Sequence, residues 1–308
     1  MVEHTFNLIL AEGLNSGARS LIRRALAGHD GKLGFGSMSL SVYDTAWVSL
    51  ITKTILGKKQ WLFTESFSYL LNTQSESGSW DAGVSQIDGI LSTAASLLSL
   101  KRHAEEPLQI QISPEPLRGR IESAAEALHS QLRSWDVSRS NHAGFEMIVP
   151  TLLEMLEKEG FVFDFNDKAE LLRINAAKLS KFKPEALYSK FKSTAIYSLE
   201  AFIGKIDFDR VTHHKVQGAM MASPSSTAAY LINTSSWDQD AEEYLRHVVD
   251  IKKIGGVPAA YPSTYYEYTW VSRLNRSPRG KLIPYVSIRS YPRFSEQASQ
   301  LQTYLARS

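Results

Sequence analysis

The stretch Ser198–Tyr230, SLEAFIGKIDFDRVTHHKVQGAMMASPSSTAAY, holds two predicted helices separated by chain breakers. The apolar spacing around Ser198–Phe202 predicts the first helix, and Gly218 interrupts the polar segment that follows. Ser223 and Pro224 predict the start of the second helix, because a serine oxygen accepts from free N–H groups and a first-turn proline loses no needed donor. The small residues that come next permit close packing against a neighbouring helix.

This stretch resembles a segment of the class II diterpene cyclases that reads SLE, then a linker of basic and acidic residues, then a Q...G...SPSSTAA run. The likeness is to the fungal bifunctional enzymes that make copalyl diphosphate and then ent-kaurene or a related diterpene, and it covers residues 16–270. The resemblance implies an all-α fold, the antiparallel helical barrel of the family's γ domain. It also implies geranylgeranyl diphosphate as the substrate and a β domain as the partner.

The stretch Ser41–Trp47, SVYDTAW, is similar to the SxYDTAW motif of the same family. The resemblance implies a place at the junction of the β and γ domains. From the residues alone, Ser41 and Asp44 predict a helix cap. Tyr43 and Trp47 predict core aromatics beside that cap. We therefore interpret the motif as a marker of the fold more than of catalysis.

The stretch Gln74–Trp80, QSESGSW, resembles the QxxxGSW motif that recurs in terpene cyclases. Gly78 predicts a turn after a helix, while Gln74 offers hydrogen bonds to free backbone groups and Trp80 packs over the turn. A fainter copy of the motif lies at Gln217–Ala219. One good copy and one faint copy predict structural turns, but they do not establish a repeat array.

Apolar residues at helical spacing predict further helices along the chain. Their expected ranges are Gly17–Ala27, Trp61–Leu71, Ile87–Leu100, Pro116–Trp135, Gly144–Gly160 and Ser236–His247. Pro150 predicts a kink or a fresh start within one of them. A capping box formed by Ser236 and Gln239 predicts the start of the last. No stretch shows a convincing period of two, so we predict no strands and an all-α fold.

The composition is that of a globular protein outside the disulfide-rich and membrane-spanning classes. The 308 residues are 43% hydrophobic with a formal net charge of +2, which supplies a core and does not indicate nucleic-acid binding. The chain has no cysteine, which fits a reducing compartment. No apolar run reaches the ~20 residues that span a bilayer, and the start lacks a signal-peptide core. We therefore expect a cytoplasmic protein without a membrane span.

The resemblance divides the chain into three parts: residues 1–40, an N-terminal helix contributed to the β domain, residues 41–270, the γ domain, and a tail. The tail, residues 271–308, carries seven basic residues and one acidic residue and lacks helical periodicity. The family would continue with an apolar helix at this point. We hypothesise that the tail comes from a shifted reading frame, a retained intron or a mispredicted gene; the alternative is a divergent basic tail.

The catalytic aspartates of the family are missing from this chain. Class II cyclisation begins when a carboxylic acid protonates an alkene, and the resemblance implies a DxDD motif for that acid. The chain has no two consecutive aspartates, so neither DxDD nor the DDxxD metal motif is present. We therefore assign no catalytic residue and no metal ligand, and we expect Mg²⁺ only in the complete family enzyme. The nearest imitation, Asp207-Phe208-Asp209, predicts solvated or capping groups.

Four residues are candidates for the wall of a class II cavity. They are Tyr197, Ala259, Ser223 and Ser226. Tyr197 and Ala259 match a histidine and an asparagine that, in plant relatives, hold the water that removes the final proton. That pair is absent here, so the base is unidentified, and Tyr197 is also readable as a core tyrosine.

These observations leave two functions from different classes. The first is the N-terminal portion of a diterpene cyclase that converts geranylgeranyl diphosphate to copalyl diphosphate by protonation-initiated cyclisation, inactive by itself. In the full family enzyme the product continues to ent-kaurene or a related diterpene. The alternative is a non-catalytic helical interaction module that retains the γ fold.

Overall fold

A computed structural model describes residues 20, 30, 32–80, 85–140, 142–191 and 193–264. The chain divides into two compact units, residues 1–29 with 264–308 and residues 30–263. Nearly all of the described residues belong to the second unit. The predicted helix Gly17–Ala27 lies outside the described residues except for residue 20, and the tail lies wholly outside them.

The second unit is built mainly from helices. Its α-helices are α1 (Val42–Ser49), α2 (Thr64–Thr73), α3 (Gln86–Glu105), α4 (Pro114–Ser134), α5 (Phe145–Lys158), α6 (Lys168–Leu179), α7 (Pro184–Tyr188), α8 (Pro224–Asn233) and α9 (Gln239–Asp250). Short 3₁₀ helices span Val137–Arg139, Thr194–Phe202 and Phe208–His214. The strands are β1 (Leu40–Ser41), β2 (Thr52–Ile55), β3 (Lys58–Trp61) and β4 (Val257–Pro258).

The prediction that the chain has no strands is wrong in detail, because two short antiparallel pairs occur. Strands β2 and β3 form a hairpin whose two-residue turn, Leu56 and Gly57, has φ of 51° and 77°. Positive φ at both central residues is the geometry that matches the twist of a hairpin. Each strand has only four residues, so an alternating pattern is too short to be seen. The hairpin also takes Trp61 out of the helix predicted over Trp61–Leu71.

The first and last strands of the unit join its two ends. Strands β1 and β4 pair antiparallel, with Leu40 opposite Pro258. The pairing continues outward, since the Ala259 N–H donates to the Ser39 carbonyl at 3.2 Å. The chain therefore enters and leaves the helical body at one place.

Helix α3 is the centre of the core. It packs against α1, α4 and α5, and it is buried on most sides, as the apolar run of Ile87–Leu100 predicts. Helix α4 instead buries a single stripe, as predicted from its spacing, which consists of Leu117, Ile121, Ala124, Leu128 and Leu132. Helix α1 packs against α2, α3 and α8, so the SVYDTAW segment lies between the two halves of the unit.

Two predicted helix starts are confirmed, and one is wrong. The Ser41 Oγ accepts from the Asp44 N–H at 3.2 Å at the start of α1, and the Ser223 Oγ accepts from the Ser226 N–H at 3.2 Å at the start of α8. Helix α9 is capped by Asp238, whose Oδ1 accepts from the Ala241 N–H at 3.1 Å. The cap is thus Asp238 and not the predicted Ser236, and the Asp238 carboxylate also pairs with Lys215.

Pro150 lies inside α5 and does not begin a new helix, so the predicted alternative of a fresh start is wrong. A proline inside a helix leaves the carbonyl four residues earlier without its N–H partner. Here that carbonyl belongs to Glu146, and it accepts from the Asn175 side-chain amide of α6 at 2.7 Å. A neighbouring helix therefore replaces the missing donor, and α5 runs through the proline unbroken.

The turns at Gly78 and Gly218 each lie close to the backbone of a neighbouring helix. In QSESGSW, the Gln74 side chain donates to the Gly78 carbonyl and to the Arg120 carbonyl, each at 3.0 Å. Gly78 has φ +85°, and a Cβ on it would lie 2.3 Å from the Ser123 carbonyl oxygen of α4. In the fainter copy, Gly218 has φ +84°, and its Cβ would lie 2.2 Å from the Asp240 carbonyl oxygen of α9. Both turns thus require glycine for conformation and for space.

Candidate functional site

The SVYDTAW, SLE and SPSS segments meet at the start of α8. The Asp44 Oδ1 accepts from the Ser225 N–H at 3.0 Å, and the Ser225 Oγ donates to the Glu200 Oε1 at 3.3 Å. The Tyr43 hydroxyl donates to the same Glu200 oxygen at 2.9 Å. We call Tyr43, Asp44, Glu200 and Ser225 the carboxylate cluster. Its members come from α1, the 3₁₀ helix Thr194–Phe202 and α8.

The two carboxyl groups of the cluster are buried but carry different charges at neutral pH. Burial raises the pKa of Glu200 to about 8, although its hydrogen bonds oppose the shift. Burial also raises the pKa of Asp44, to about 6, against the hydrogen bonds from Ser41 and Ser225. Asp44 is therefore ionised at pH 7 beside the positive end of α8, while Glu200 holds its proton. Within the described residues the Glu200 Oε2 is buried and makes no hydrogen bond.

The free energy of unfolding is expected to fall as the pH rises, because the folded state keeps a proton on Glu200 that the unfolded state loses. The fall extends from the ordinary pKa of 4.5 to about 8. One such proton contributes a slope of about 1.4 kcal/mol per pH unit. Because glutamine does not titrate, denaturant unfolding of Glu200→Gln should show a flatter pH dependence over that range. Equal slopes for the two proteins would contradict the assignment.

The two positions of the plant pair come together in the structure. The Tyr197 hydroxyl donates to the Ala259 carbonyl oxygen at 3.1 Å. Tyr197 is 42% exposed, so it is not a core tyrosine within the described unit. Partial burial raises the pKa of Tyr197 to about 12, and the Asp44 and Glu200 carboxyl groups, both ionised at the high pH where a phenol titrates, are the next causes. Tyr197 is thus a neutral phenol on the surface above the carboxylate cluster.

The two serine candidates lie beneath that surface. Ser223 and Ser226 are both fully buried. The Ser226 Oγ donates to the Ile196 carbonyl at 2.5 Å and accepts from the Leu199 N–H at 3.2 Å. These bonds take the place of helical backbone bonds, and Ser198 between them is non-helical (φ −137°, ψ 52°). The helix predicted over Ser198–Phe202 is accordingly part of a kinked 3₁₀ helix, and Ser226 holds the backbone on both sides of Tyr197.

Sequence reasoning missed Glu200 and Ser225 as site residues. Both lie in the stretches that carry the family resemblance, and the sequence analysis uses them only to identify that resemblance. The available signal was a glutamate within the apolar segment around Leu199 and Phe202. A charged residue at such a position is rarely buried without a partner, which would have directed attention to it.

The described residues do not fit a magnesium site. No group of three or more acidic or histidine side chains gathers within them in the way a metal ion requires. The Asp207 and Asp209 carboxylates, the nearest imitation of an aspartate motif, instead accept from nearby backbone N–H groups. No helix of the described part is long and apolar enough to cross a membrane.

A surface cavity of about 510 Å³ lies away from the carboxylate cluster, between the 3₁₀ helix Phe208–His214 and α9. Its lining groups bond to one another: the Tyr230 hydroxyl donates to Asp238 at 2.8 Å, and the Asp209 Oδ1 accepts from the Thr234 hydroxyl at 2.7 Å. Polar groups satisfied in this way stabilise the turn before α9.

The chain is similar to known proteins in sequence and in fold, although no family model matches it. The sequence is 52% identical over 260 residues to phyllocladan-16-alpha-ol synthase of Phomopsis amygdali, covering 82% of this chain and 26% of that protein. It is 52% identical over 261 residues to copalyl diphosphate synthase of Talaromyces verruculosus, covering 83% of this chain and 27% of that protein. The chain thus spans about a quarter of the length of these curated relatives.

The fold is similar to that of abietadiene synthase from Abies grandis. The superposition has a TM-score of 0.69 at 23% sequence identity and covers 96% of this chain and 36% of that one. This match confirms the predicted helical fold of terpene cyclase type. The few short strands do not alter it.

Proposed function

Because this chain belongs to the fungal diterpene synthase family, of whose proteins it spans about a quarter, we propose that it forms one wall of a class II cyclisation site. The substrate would be geranylgeranyl diphosphate and the product copalyl diphosphate. The observation that carries the proposal is the Tyr197–Ala259 hydrogen bond, which brings together the two positions that match the plant pair. In the complete family enzyme the product would continue to ent-kaurene or a related diterpene.

The chemistry of Tyr197 fits the end of the reaction better than its start. Its hydroxyl donates a hydrogen bond to the Ala259 carbonyl oxygen, so the lone pairs of the phenol oxygen are available to accept a hydrogen bond from a water molecule. With the pKa raised to about 12, Tyr197 does not act as a phenolate base at neutral pH. Its role would be to position a water that takes the final proton. The fixed negative charge of Asp44 below it would favour the cationic intermediates.

The chain does not supply the acid that starts the cyclisation. Glu200 holds a proton, but it is 2% exposed and faces the start of α8, away from any substrate at the surface. No two aspartates are consecutive in the sequence. The proton donor therefore belongs to a portion of the family-length protein that this chain lacks, and the expected Mg²⁺ would act with that portion.

The isolated chain is expected not to cyclise geranylgeranyl diphosphate. The full 308-residue chain would be incubated with substrate and Mg²⁺, with and without the missing portion supplied as a second polypeptide. We expect copalyl diphosphate only in the mixture, because the acid and the wall come from different polypeptides. Product from the chain alone, above a boiled control, would overturn the proposal.

A second candidate function is a non-catalytic interaction module. The observation that favours it is the helical fold of the described residues, in a sequence without either catalytic aspartate motif. The same mixture separates the two functions. A stable complex of the two polypeptides that forms no product would support the module.

A further inference from the structure

We propose that Met221 is a specificity-determining residue of this site, with its side chain against the hydrocarbon chain of the prenyl diphosphate. The inference rests on the proposed function and deepens it. It concerns the corner 220–223, which joins the fainter glycine turn to the start of α8. No part of the family resemblance assigns a role to this residue.

The corner holds an unfavourable backbone conformation at two residues that have side chains. Met221 has φ 48° and Ala222 has φ 60°, while the Ser223 N–H donates to the Met220 carbonyl at 3.0 Å. A two-residue turn with positive φ at both central positions is strongly preferred by glycine and asparagine. Methionine and alanine have no local preference for positive φ. Strain of this kind persists when the surroundings fix it, and it concentrates at functional sites.

The surroundings fix the corner on both sides. The Met220 N–H donates to the Thr227 hydroxyl at 3.0 Å, which ties the corner to α8. The Ala222 carbonyl accepts from the Tyr261 N–H at 2.8 Å, which ties it to the segment that follows β4. Two residues earlier on that segment, the Ala259 carbonyl holds the Tyr197 hydroxyl. The residue next to Met221 is therefore bonded to the same short segment, residues 259–261, that carries the Tyr197–Ala259 pair.

The exposure of the two neighbouring methionines separates a packing role from a contact role. Met220 is fully buried and belongs to the core, whereas Met221 is 39% exposed. A methionine whose only role was to fill the core would be buried, as Met220 is, and would not be exposed in a strained turn. Methionine is apolar, unbranched and adaptable, which suits a surface that must follow a folded hydrocarbon chain. Met221 thus offers an exposed apolar side chain from a corner bonded to the segment that carries the Tyr197–Ala259 pair.

The test uses the full chain with the missing portion supplied as a second polypeptide. Met221→Ala and Met221→Trp are compared with Leu172→Ala and Leu172→Trp, since Leu172 is an exposed apolar residue on α6, outside the site. We expect Met221→Trp to raise the KM for geranylgeranyl diphosphate about tenfold or to change the product ratio, the scale at which pocket shape discriminates hydrocarbons. The Leu172 variants should behave as the unaltered chain does.

A second measurement needs no turnover. Hydrogen peroxide oxidises exposed methionine, and mass spectrometry reports the rate at each position. In the unaltered mixture, geranylgeranyl diphosphate should slow oxidation of Met221 several-fold beyond any effect of the second polypeptide. This measurement also decides the matter if a Met221 variant loses its fold.

The outcomes distinguish the two proposals. Product formation with Met221 variants that match the Leu172 variants, and no substrate protection of Met221, would overturn the inference while the proposed function stands. Protection of Met221 by substrate in a mixture that forms no copalyl diphosphate would support the contact and overturn the cyclisation. Absence of both protection and variant effects overturns the inference in every case.

Discussion

Replacing Trp80 with alanine is expected to lower the free energy of unfolding by about 3–5 kcal/mol, the usual cost of truncating a buried tryptophan. Trp80 is 4% exposed and belongs to the main core. Its indole N–H also donates to the Leu70 carbonyl at 3.0 Å, so the substitution removes a partner from the end of α2. Denaturant unfolding of the full chain would measure the change.

Two further substitutions separate the contributions at Trp80. Trp80→Phe keeps most of the ring but loses the N–H donor, and the Leu70 carbonyl still accepts from the Gln74 N–H at 3.1 Å. This variant should therefore cost only about 0.5–1.5 kcal/mol, the net contribution of one hydrogen bond. Leu56→Ala truncates a side chain that is 99% exposed, and it should change the stability by less than about 0.5 kcal/mol. If Trp80→Ala left the melting temperature unchanged, the QSESGSW turn would not belong to the core.

Gly218→Ala is expected to destabilise the chain by about 2–5 kcal/mol. About 1–2 kcal/mol of this comes from holding alanine in a left-handed conformation, and about 1–3 kcal/mol from overpacking. The overpacking arises because the new methyl group would lie 2.2 Å from the Asp240 carbonyl oxygen and 2.9 Å from the Tyr244 Cβ. Since neither neighbour is the end of a flexible side chain, α9 must shift to admit it.

Gly57→Ala is the matched control. Leu56 and Gly57 form a two-residue turn with φ of 51° and 77°, and Gln217 and Gly218 form one with φ of 51° and 84°. A Cβ on Gly57, however, would meet nothing within 4 Å. Gly57→Ala should therefore show only the conformational cost of about 1–2 kcal/mol. Equal losses for the two variants would mean that Gly218 is not packed against α9.

The sequence predicts those features of this fold that depend on near neighbours. The caps at Ser41 and Ser223 are predictable because each acceptor serves an N–H three residues away. The stripe on α4 is predictable because one face of one helix carries it. These features need no knowledge of what lies opposite.

The features that sequence reasoning missed depend on distant partners. Pro150 stays helical because Asn175, on another helix, bonds the carbonyl that the proline frees. Ser198 leaves the helical conformation because the Ser226 hydroxyl competes for the backbone around it. The carboxylate cluster draws on segments up to 181 residues apart, and no local pattern states that Asp44 and Ser225 will meet.

The pairing of β1 with β4 has a consequence for how such a unit is built into a longer protein. Because Leu40 lies opposite Pro258, the residues between them form a segment whose two ends lie side by side. Another fold could carry such a segment as an insertion in a single surface loop, without separation of its own strands or helices. The same closure is among the most non-local contacts of the unit, since it joins positions more than two hundred residues apart, and contacts of that kind form slowly. During synthesis, nearly the whole unit must therefore leave the ribosome before β1 and β4 can pair.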